Sequence, residues 1–255
     1  MARSADGGGR RYATGCRKDP YDPRDYQVQH FLTAAPTREH ADHRGEMPPI
    51  FDQGNAGTCV ACATGYYDKG FQEHRERGWS YRPGEHRFSP LFIYSQRADH
   101  SGDNGMNIRE AMKIVRAEGV CPLAEMPYDP GMIDVPPSPE QVTAARPFRA
   151  RSFARLTTIP EIERYLYDSV MVAGLLVHQS FMDAPDGRIP MPAPGDPFVG
   201  GHALCFTGFD SRRRELYFAN SWGPAWGESG FGTISYDVFQ ALVMDVWGMV
   251  DAPDL

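Results

Sequence analysis

Cys59 closes the stretch Gln53-Gly-Asn-Ala-Gly-Thr-Cys59 and begins a run without proline. A thiol is thereby set at the first turn of a predicted helix, directly after a glycine-containing loop. Unpaired N–H groups and the positive end of the helix dipole favour the thiolate. Such a position, or a neighbouring imidazolium, can lower a cysteine pKa from ~8.5 into the range ~3.5–7.5. A thiolate attacks carbonyl carbon, and the oxygen then gains charge. The backbone N–H of Cys59 and the side-chain amide of Gln53 are the candidate donors for that oxyanion.

A thiolate that expels an amine needs a partner able to hold and return a proton near neutral pH, which is the range of histidine. Among the eight histidines, His202 begins the apolar run Ala203-Leu-Cys-Phe206 directly after Gly200-Gly201. Small residues there let a substrate chain pass close by, which makes Gly201 a candidate substrate contact. The other seven histidines lie in polar contexts or at helix surfaces. A third group must fix the imidazole's tautomer, and Asn220 ends the next predicted strand in Asn220-Ser-Trp-Gly. Trp222, two residues on, is placed to shield a His202–Asn220 hydrogen bond from water.

Blander readings account for other residues of the same types. Cys16, Cys121 and Cys205 read as small buried hydrophobes. Cys59 with Cys62 spells CxxC and His202 with Cys205 spells HxxC, but residues three apart in a strand face opposite ways and do not share a metal. No metal or organic cofactor is expected. His40 and His43 read as residues of a polar stretch, Arg212 to Arg214 as a solvated hairpin turn, and Trp226 as a core or turn aromatic.

The elements that must carry these groups are legible from spacing. The run from Cys59 to Arg77, with Val60, Ala63, Tyr67 and Phe71 at three- and four-residue intervals, predicts an amphipathic helix that ends at Gly78, with Thr58 as its N-cap. Further helices are predicted from Ser89 to Ala98 with Pro90 in the first position, from Asn107 to Ala117 closed by Gly119, and from Ile159 to Tyr167. Short strands are expected at 170–177, 203–209, 216–220 and 232–236. The Pro-rich stretch 121–147 links a helical first half to a β-rich second half. The expected fold is α+β, two lobes with the site in the cleft between them. Residues 1–18 are Gly- and Arg-rich and are expected to form a disordered tail.

Composition narrows the class. Hydrophobic residues make up 41% and charged residues 23% of 255, with 22 Pro and 26 Gly, as in a loop-rich globular domain. The net charge of -7 argues against a nucleic-acid footprint. No apolar run approaches the length of a membrane span, and the first fifteen residues lack a signal-peptide core. Five cysteines without framework spacing suggest a reducing compartment. The expected location is cytoplasmic, with a signal-less export route left open, and the expected state is a monomer.

Gln53-Gly-x-x-Gly-Thr-Cys59, Gly201-His202-Ala203 and Asn220-Ser-Trp-Gly-x-x-Trp-Gly-Glu-x-Gly230, in that order, closely resemble the papain-like cysteine peptidases. The resemblance runs from about Asp19 to the C-terminus. It implies a helical lobe over about 47–130 and an antiparallel, β-barrel-like lobe over about 148–250. It implies Cys59 as nucleophile, His202 as acid and base, Asn220 as orienter and Gln53 as oxyanion donor. Through Ser101-Gly-Asp-Asn-Gly105 it implies Gly105 and Met106 as a substrate wall, followed beyond a helix by Pro127-Tyr128. Two departures stand beside the nucleophile: Ala56 replaces a cysteine that forms a disulfide in secreted members, and Val60 replaces a common tryptophan. Both suit a bacterial, disulfide-free version. Only 58 residues precede the thiol, without the long pro-region of secreted members, so control by zymogen cleavage is not expected. The implied activity is hydrolysis of peptide or protein substrates through a thioester. An amidase, a peptide ligase, an acyltransferase on the same triad and a silent binding module are the alternatives.

Overall fold

A computed structural model describes residues 12–27, 38–81, 86–184 and 186–251. Residues 59–77 form one continuous helix, α1, whose middle, Cys62–Lys69, is wound as a π-helix. Gly78 ends it in the left-handed region, at φ 65°, a conformation that glycine adopts without a Cβ penalty. Thr58 holds the N-cap position but does not cap. Its hydroxyl meets Tyr128 Oη at 2.7 Å and Cys62 Sγ at 3.7 Å.

The amphipathic expectation for α1 needs correction, because every residue from Cys59 to Gln72 and then Glu73 is buried. A helix enclosed on all sides must satisfy its polar groups internally. Lys69 pairs with Glu73 at 2.7 Å, and Gln72 donates to Asp68 at 3.1 Å and to the Met249 carbonyl at 2.9 Å. Around α1 lie α2 (Pro90–Tyr94) and α3 (Ile108–Glu118), closed by Gly119 at φ 87°. The linking stretch carries a helix that its prolines did not suggest, α4 (Pro139–Ala145), started by a Ser138–Gln141 capping box.

The second half holds α5 (Ile159–Leu166), α6 (Gln179–Met182), α7 (Tyr236–Leu242) and most of an eight-stranded sheet. Its strands are β2 (His40–Asp42), β4 (Ala150–Arg155), β5 (Met171–His178), β6 (Arg188–Ile189), β7 (Phe198–Asp210), β8 (Glu215–Ala219), β9 (Phe231–Ser235) and β10 (Val243–Asp251). They run in the order β4-β10-β5-β7-β8-β9-β6, with β2 also on β7. The pairings are antiparallel except β6 with β9. The fold is α+β with two lobes, and among the described residues the strand path stays open, so the lobe is a curved sheet and not a closed barrel.

β7 is the seam of this sheet. Its first part pairs with β5 from Phe198 to Phe206, and its last part pairs with β8 and β2. One apolar core lies inside the sheet lobe, with Ile162, Leu204, Phe218 and Phe239 among its members. The other is shared between the lobes: Cys59, Val60, Phe92 and Met112 from the helices pack with Val172, Ala203, Ala219 and Trp247 from the sheet. Full burial of a Val, Leu, Ile or Phe side chain stabilises by roughly 1.5–3 kcal/mol, so this shared core fixes the start of α1 against β7. A two-stranded parallel ladder, β1 (Cys16–Arg17) with β3 (Met106–Asn107), lies outside the large sheet. Of the expected tail, residues 1–11 lie outside the described residues, and residues 12–18 are ordered against the body.

Candidate active site

The start of α1 packs against β7, with Cys59 and Ala203, the neighbour of His202, in one core. The backbone N–H groups of Ala203, Val60 and Cys59 itself favour the Cys59 thiolate. His202 Nε2 meets Asn220 Oδ1 at 2.8 Å. That oxygen also accepts the Ser221 N–H at 2.8 Å, so it is the amide's acceptor and the ring nitrogen facing it must carry the proton. The other ring nitrogen, Nδ1, is buried and without a hydrogen-bond partner among the described residues. In a neutral ring it is therefore the basic nitrogen. Asn220 follows the last residue of β8, where the Tyr67 hydroxyl of α1 holds its carbonyl at 2.8 Å.

The Trp222 indole lies over the imidazole with centroids 4.3 Å apart and planes 23° apart. It lies on the ring that makes the hydrogen bond to Asn220. Trp226 stands edge-on to Trp222 and belongs to the apolar core of the sheet lobe.

Gln53 is wholly buried beside this group. Its Oε1 accepts the Ser221 hydroxyl at 2.5 Å, and its Nε2 donates to Ala56 O at 2.8 Å and reaches Ala13 O at 3.4 Å. The amide is thus oriented with its nitrogen toward the loop that leads to Cys59. Ser221 does the orienting, and no sequence signal marked it. The loop is braced by a hydroxyl relay in which Tyr128 donates to Gln53 O at 2.9 Å and Thr58 contacts Tyr128.

The electrostatics differ from those expected of a thiol at a helix start. Burial pushes the Cys59 thiol up to about 12, against the pull of the surrounding N–H groups. Burial likewise pushes the His202 imidazole down to about 4, against the raising effect of Asn220. Both residues have no exposed surface, and removal from water disfavours each charged form. Burial thus disfavours both the thiolate and the imidazolium while the chain stands as in this structure.

What covers them is the ordered part of the expected tail. Trp222 Nε1 donates to Ala13 O at 2.9 Å, and the Tyr12 ring stacks on Trp222 at 4.8 Å. Gly15 N–H donates to Gly201 O at 3.0 Å, and Met106 N–H donates to Gly15 O at 2.9 Å. Gly105, Met106, Gly201 and Trp222 therefore line one groove, and residues 12–17 lie in it. Gly105 sits at φ 72°, and a Cβ there would stand 2.7 Å from Gly15 Cα. A Cβ at Gly201 would stand 2.9 Å from Met244 Cε and nearer still to Cys16 O. These glycines leave room for the extended backbone of residues 15 and 16. Among the described residues, no three His, Cys, Asp or Glu side chains are gathered as metal ligands.

Comparison with known proteins places this geometry. The profile of the papain family cysteine protease matches residues 36–245. The uncharacterized peptidase C1-like protein L477 of Acanthamoeba polyphaga mimivirus is 30% identical over 222 residues, covering 80% of this chain and 70% of that protein. The crystal structure of xylellain, a cysteine protease from Xylella fastidiosa, superposes with a TM-score of 0.79 at 26% identity, covering 95% of this chain and 97% of that one. Bromelain from Ananas comosus, in complex with the E64 inhibitor, shares the fold with a TM-score of 0.66 at 17% identity, over 85% of this chain and 100% of its own. The chain belongs to the papain family and is a cysteine peptidase.

Proposed function

We propose that Cys59, His202, Asn220 and Gln53 carry out the peptidase reaction on an extended peptide lying in the groove of Gly105, Met106, Gly201 and Trp222. The observation that carries this reading is the His202–Asn220 hydrogen bond beneath Trp222. It commits Nε2 to donation and leaves Nδ1, buried and unpartnered among the described residues, as the ring's basic nitrogen.

Nδ1 takes the Cys59 proton, and the sulfur attacks the substrate carbonyl carbon. The Cys59 N–H and Gln53 Nε2 receive the charge that develops on oxygen. The imidazolium then returns its proton to the leaving amine, which leaves a thioester on Cys59. Water, deprotonated by the same Nδ1, attacks the thioester, and collapse regenerates the thiol and releases the new carboxyl end.

Substrate preference follows from one pocket. The Cys16 side chain rests over Gly174, where a Cβ would stand 2.7 Å from its sulfur, with Met244 and Ile108 as neighbours. When a substrate replaces this segment, the pocket favours an apolar side chain. A peptide-library cleavage profile checks the preference, and enrichment of charged residues at every position would refute it. Hydrolysis rather than transfer, action as a monomer and a cytoplasmic location complete the reading. Five free, buried thiols suit a reducing compartment.

The test is turnover of a peptide substrate by Cys59→Ala and by Cys59→Ser, with peptidyl-epoxide labelling located by mass spectrometry. Loss of turnover and an adduct on Cys59 are expected. Retained turnover, or labelling at another cysteine, overturns the assignment.

A further inference from the structure

Gly57, two residues before the nucleophile, and Gly105, on the expected substrate wall, both border the groove. A Cβ at Gly15 would stand 2.7 Å from Gly57 Cα, and a Cβ at Gly105 would stand 2.7 Å from Gly15 Cα. One pair of side chains is bonded to both glycines. Asp103 Oδ2 accepts the Gly57 N–H at 2.8 Å. The other carboxylate oxygen accepts the Tyr94 hydroxyl, and Tyr94 Oη accepts the Gly105 N–H at 3.0 Å. The phenol thus gives its one proton to the carboxylate and keeps a lone pair for the wall.

The packing around this pair is built for it. A Cβ at Gly57 would stand 2.8 Å from Asp103 Oδ1 and 3.2 Å from Tyr94 Oη, so the close approach requires glycine. Tyr94 is wholly buried at the end of α2, and the Arg97 guanidinium lies over its ring at 4.3 Å from the centroid. Arg97 has a side chain with no exposed surface and donates to Tyr94 O and to Gly102 O, each at 3.1 Å, and to Ile133 O at 2.7 Å. The ring and the loop before Gly105 are therefore pinned by the same cation. Burial pushes the Tyr94 hydroxyl well above its usual range, and the Asp103 hydrogen bond adds to the rise, so the phenol keeps the proton it donates.

No covalent tie does this work. Ala56 offers no thiol beside Gly57, and all five cysteines are free. The loop that leads to Cys59 is joined to the loop of Gly105 through Asp103 and Tyr94 instead, by bonds that a carboxylate strengthens.

We propose that Asp103 and Tyr94 are positioning residues for the peptidase reaction, a clasp that sets the spacing of the groove between Gly57 and Gly105 and so governs how tightly an extended peptide is held. The proposal rests on the reading of Cys59 as nucleophile and of Gly105 as substrate wall. The clasp acts through the two glycines and leaves the reacting groups alone. Walls that grip the peptide alike before and during attack contribute to KM and little to kcat.

The test is steady-state kinetics of the full chain on a peptide substrate, well below each variant's melting midpoint. Tyr94→Phe keeps the ring under Arg97 and removes the hydroxyl, Asp103→Ala removes both acceptors, and Asp103→Asn keeps one acceptor for Gly57. KM is expected to rise about tenfold in Tyr94→Phe and in Asp103→Ala, with kcat within about threefold of wild type. Asp103→Asn should lie nearer to wild type than Asp103→Ala. The double variant Tyr94→Phe with Asp103→Ala should be no worse than the poorer single one, because both remove the same clasp. A KM within twofold of wild type in both single variants overturns the proposal, whatever kcat does. So does a double variant whose KM rises by the product of the two single effects, since the residues would then act independently. If Asp103→Ala does not fold, Tyr94→Phe decides. Turnover surviving Cys59→Ala overturns the underlying reading instead.

Discussion

Replacing Asn220 by alanine should separate chemistry from stability at the site. Asn220 Oδ1 accepts two hydrogen bonds in a wholly buried setting, from His202 Nε2–H and from Ser221 N–H, each at 2.8 Å. Removing the acceptor leaves two buried donors, each costing about 1–3 kcal/mol. Two such losses give about 2–6 kcal/mol, before the cavity is counted. For a chain of this size, about 2–4 °C of melting temperature goes with each kcal/mol, so the midpoint should fall by roughly 5–20 °C.

The catalytic loss has a different origin. While His202 is an imidazolium, its Nε2–H bond to Oδ1 is charge-assisted and contributes about 1.5–3 kcal/mol, or about 10- to 150-fold in rate. The measurement is kcat/KM on a peptide substrate, well below the variant's midpoint, beside thermal melting of both proteins. The expected outcome is a lower midpoint together with a 10- to 150-fold lower kcat/KM. A lowered midpoint with kcat/KM within twofold of wild type would show that the bond is purely structural, and the orienting role would have to be abandoned.

Three more outcomes follow from the same geometry. With its thiol held near 12 by burial, wild-type Cys59 should alkylate with iodoacetamide about tenfold faster per pH unit between pH 6 and 9; a flat wild-type profile contradicts this. Burial pushes Asp19 up from 3.8 to about 6, opposed by the Trp247 hydrogen bond and by Arg109 and Arg155, with Asp245 adding to the rise. The folded chain therefore binds a proton that the unfolded chain releases, so this contribution to stability is fully present below pH 3.8 and is lost as pH rises through 6. Asp19→Asn should lessen the fall of the denaturant midpoint between about pH 4 and 6.5, and a midpoint with the same pH dependence in both proteins refutes the linkage. Gly119→Ala, at φ 87° with its Cβ 2.8 Å from the Ala145 carbonyl carbon, should cost at least about 2 kcal/mol, seen as a lower denaturant midpoint with activity retained below it.

The groups proposed to react could be picked out in the sequence because the chemistry restricts both residue type and setting. A thiol after a glycine loop, a histidine after two glycines and an asparagine at a strand end each carried a local reason. The groups that hold them were not legible. Ser221 orients Gln53 across the cleft, and such a contact depends on packing between segments 168 residues apart in sequence. Thr58 looked like a helix cap and instead hydrogen-bonds Tyr128, because a tertiary partner competed for its hydroxyl. The π-helical middle of α1 has no periodic signature, since its polar residues are buried as completely as its apolar ones.

Among the strands, β4 reads Ala-Arg-Ser-Phe-Ala-Arg and β10 is interrupted by Asp245 and Gly248. Their alternation was blurred by Arg155 and Asp245, which pair with each other. The ordering of residues 12–18 escaped notice for a related reason. Residues 12–18 bind largely through main-chain groups and through the absence of a side chain at Gly15, and neither gives an apolar pattern.

The core shared by α1, α2 and α3 with β5, β7 and β10 determines how the molecule can move. Two walls built on common packing cannot swing apart without exposing that packing, so the groove keeps its width as substrates come and go. Residues 12–17, by contrast, are held by a few hydrogen bonds, one ring stack and one short ladder. Recognition then resembles the filling of a rigid mould by an extended chain. A compact protein must first yield a loop or a locally unfolded stretch before it can be cut, and the rate at which it does so becomes part of the enzyme's selectivity.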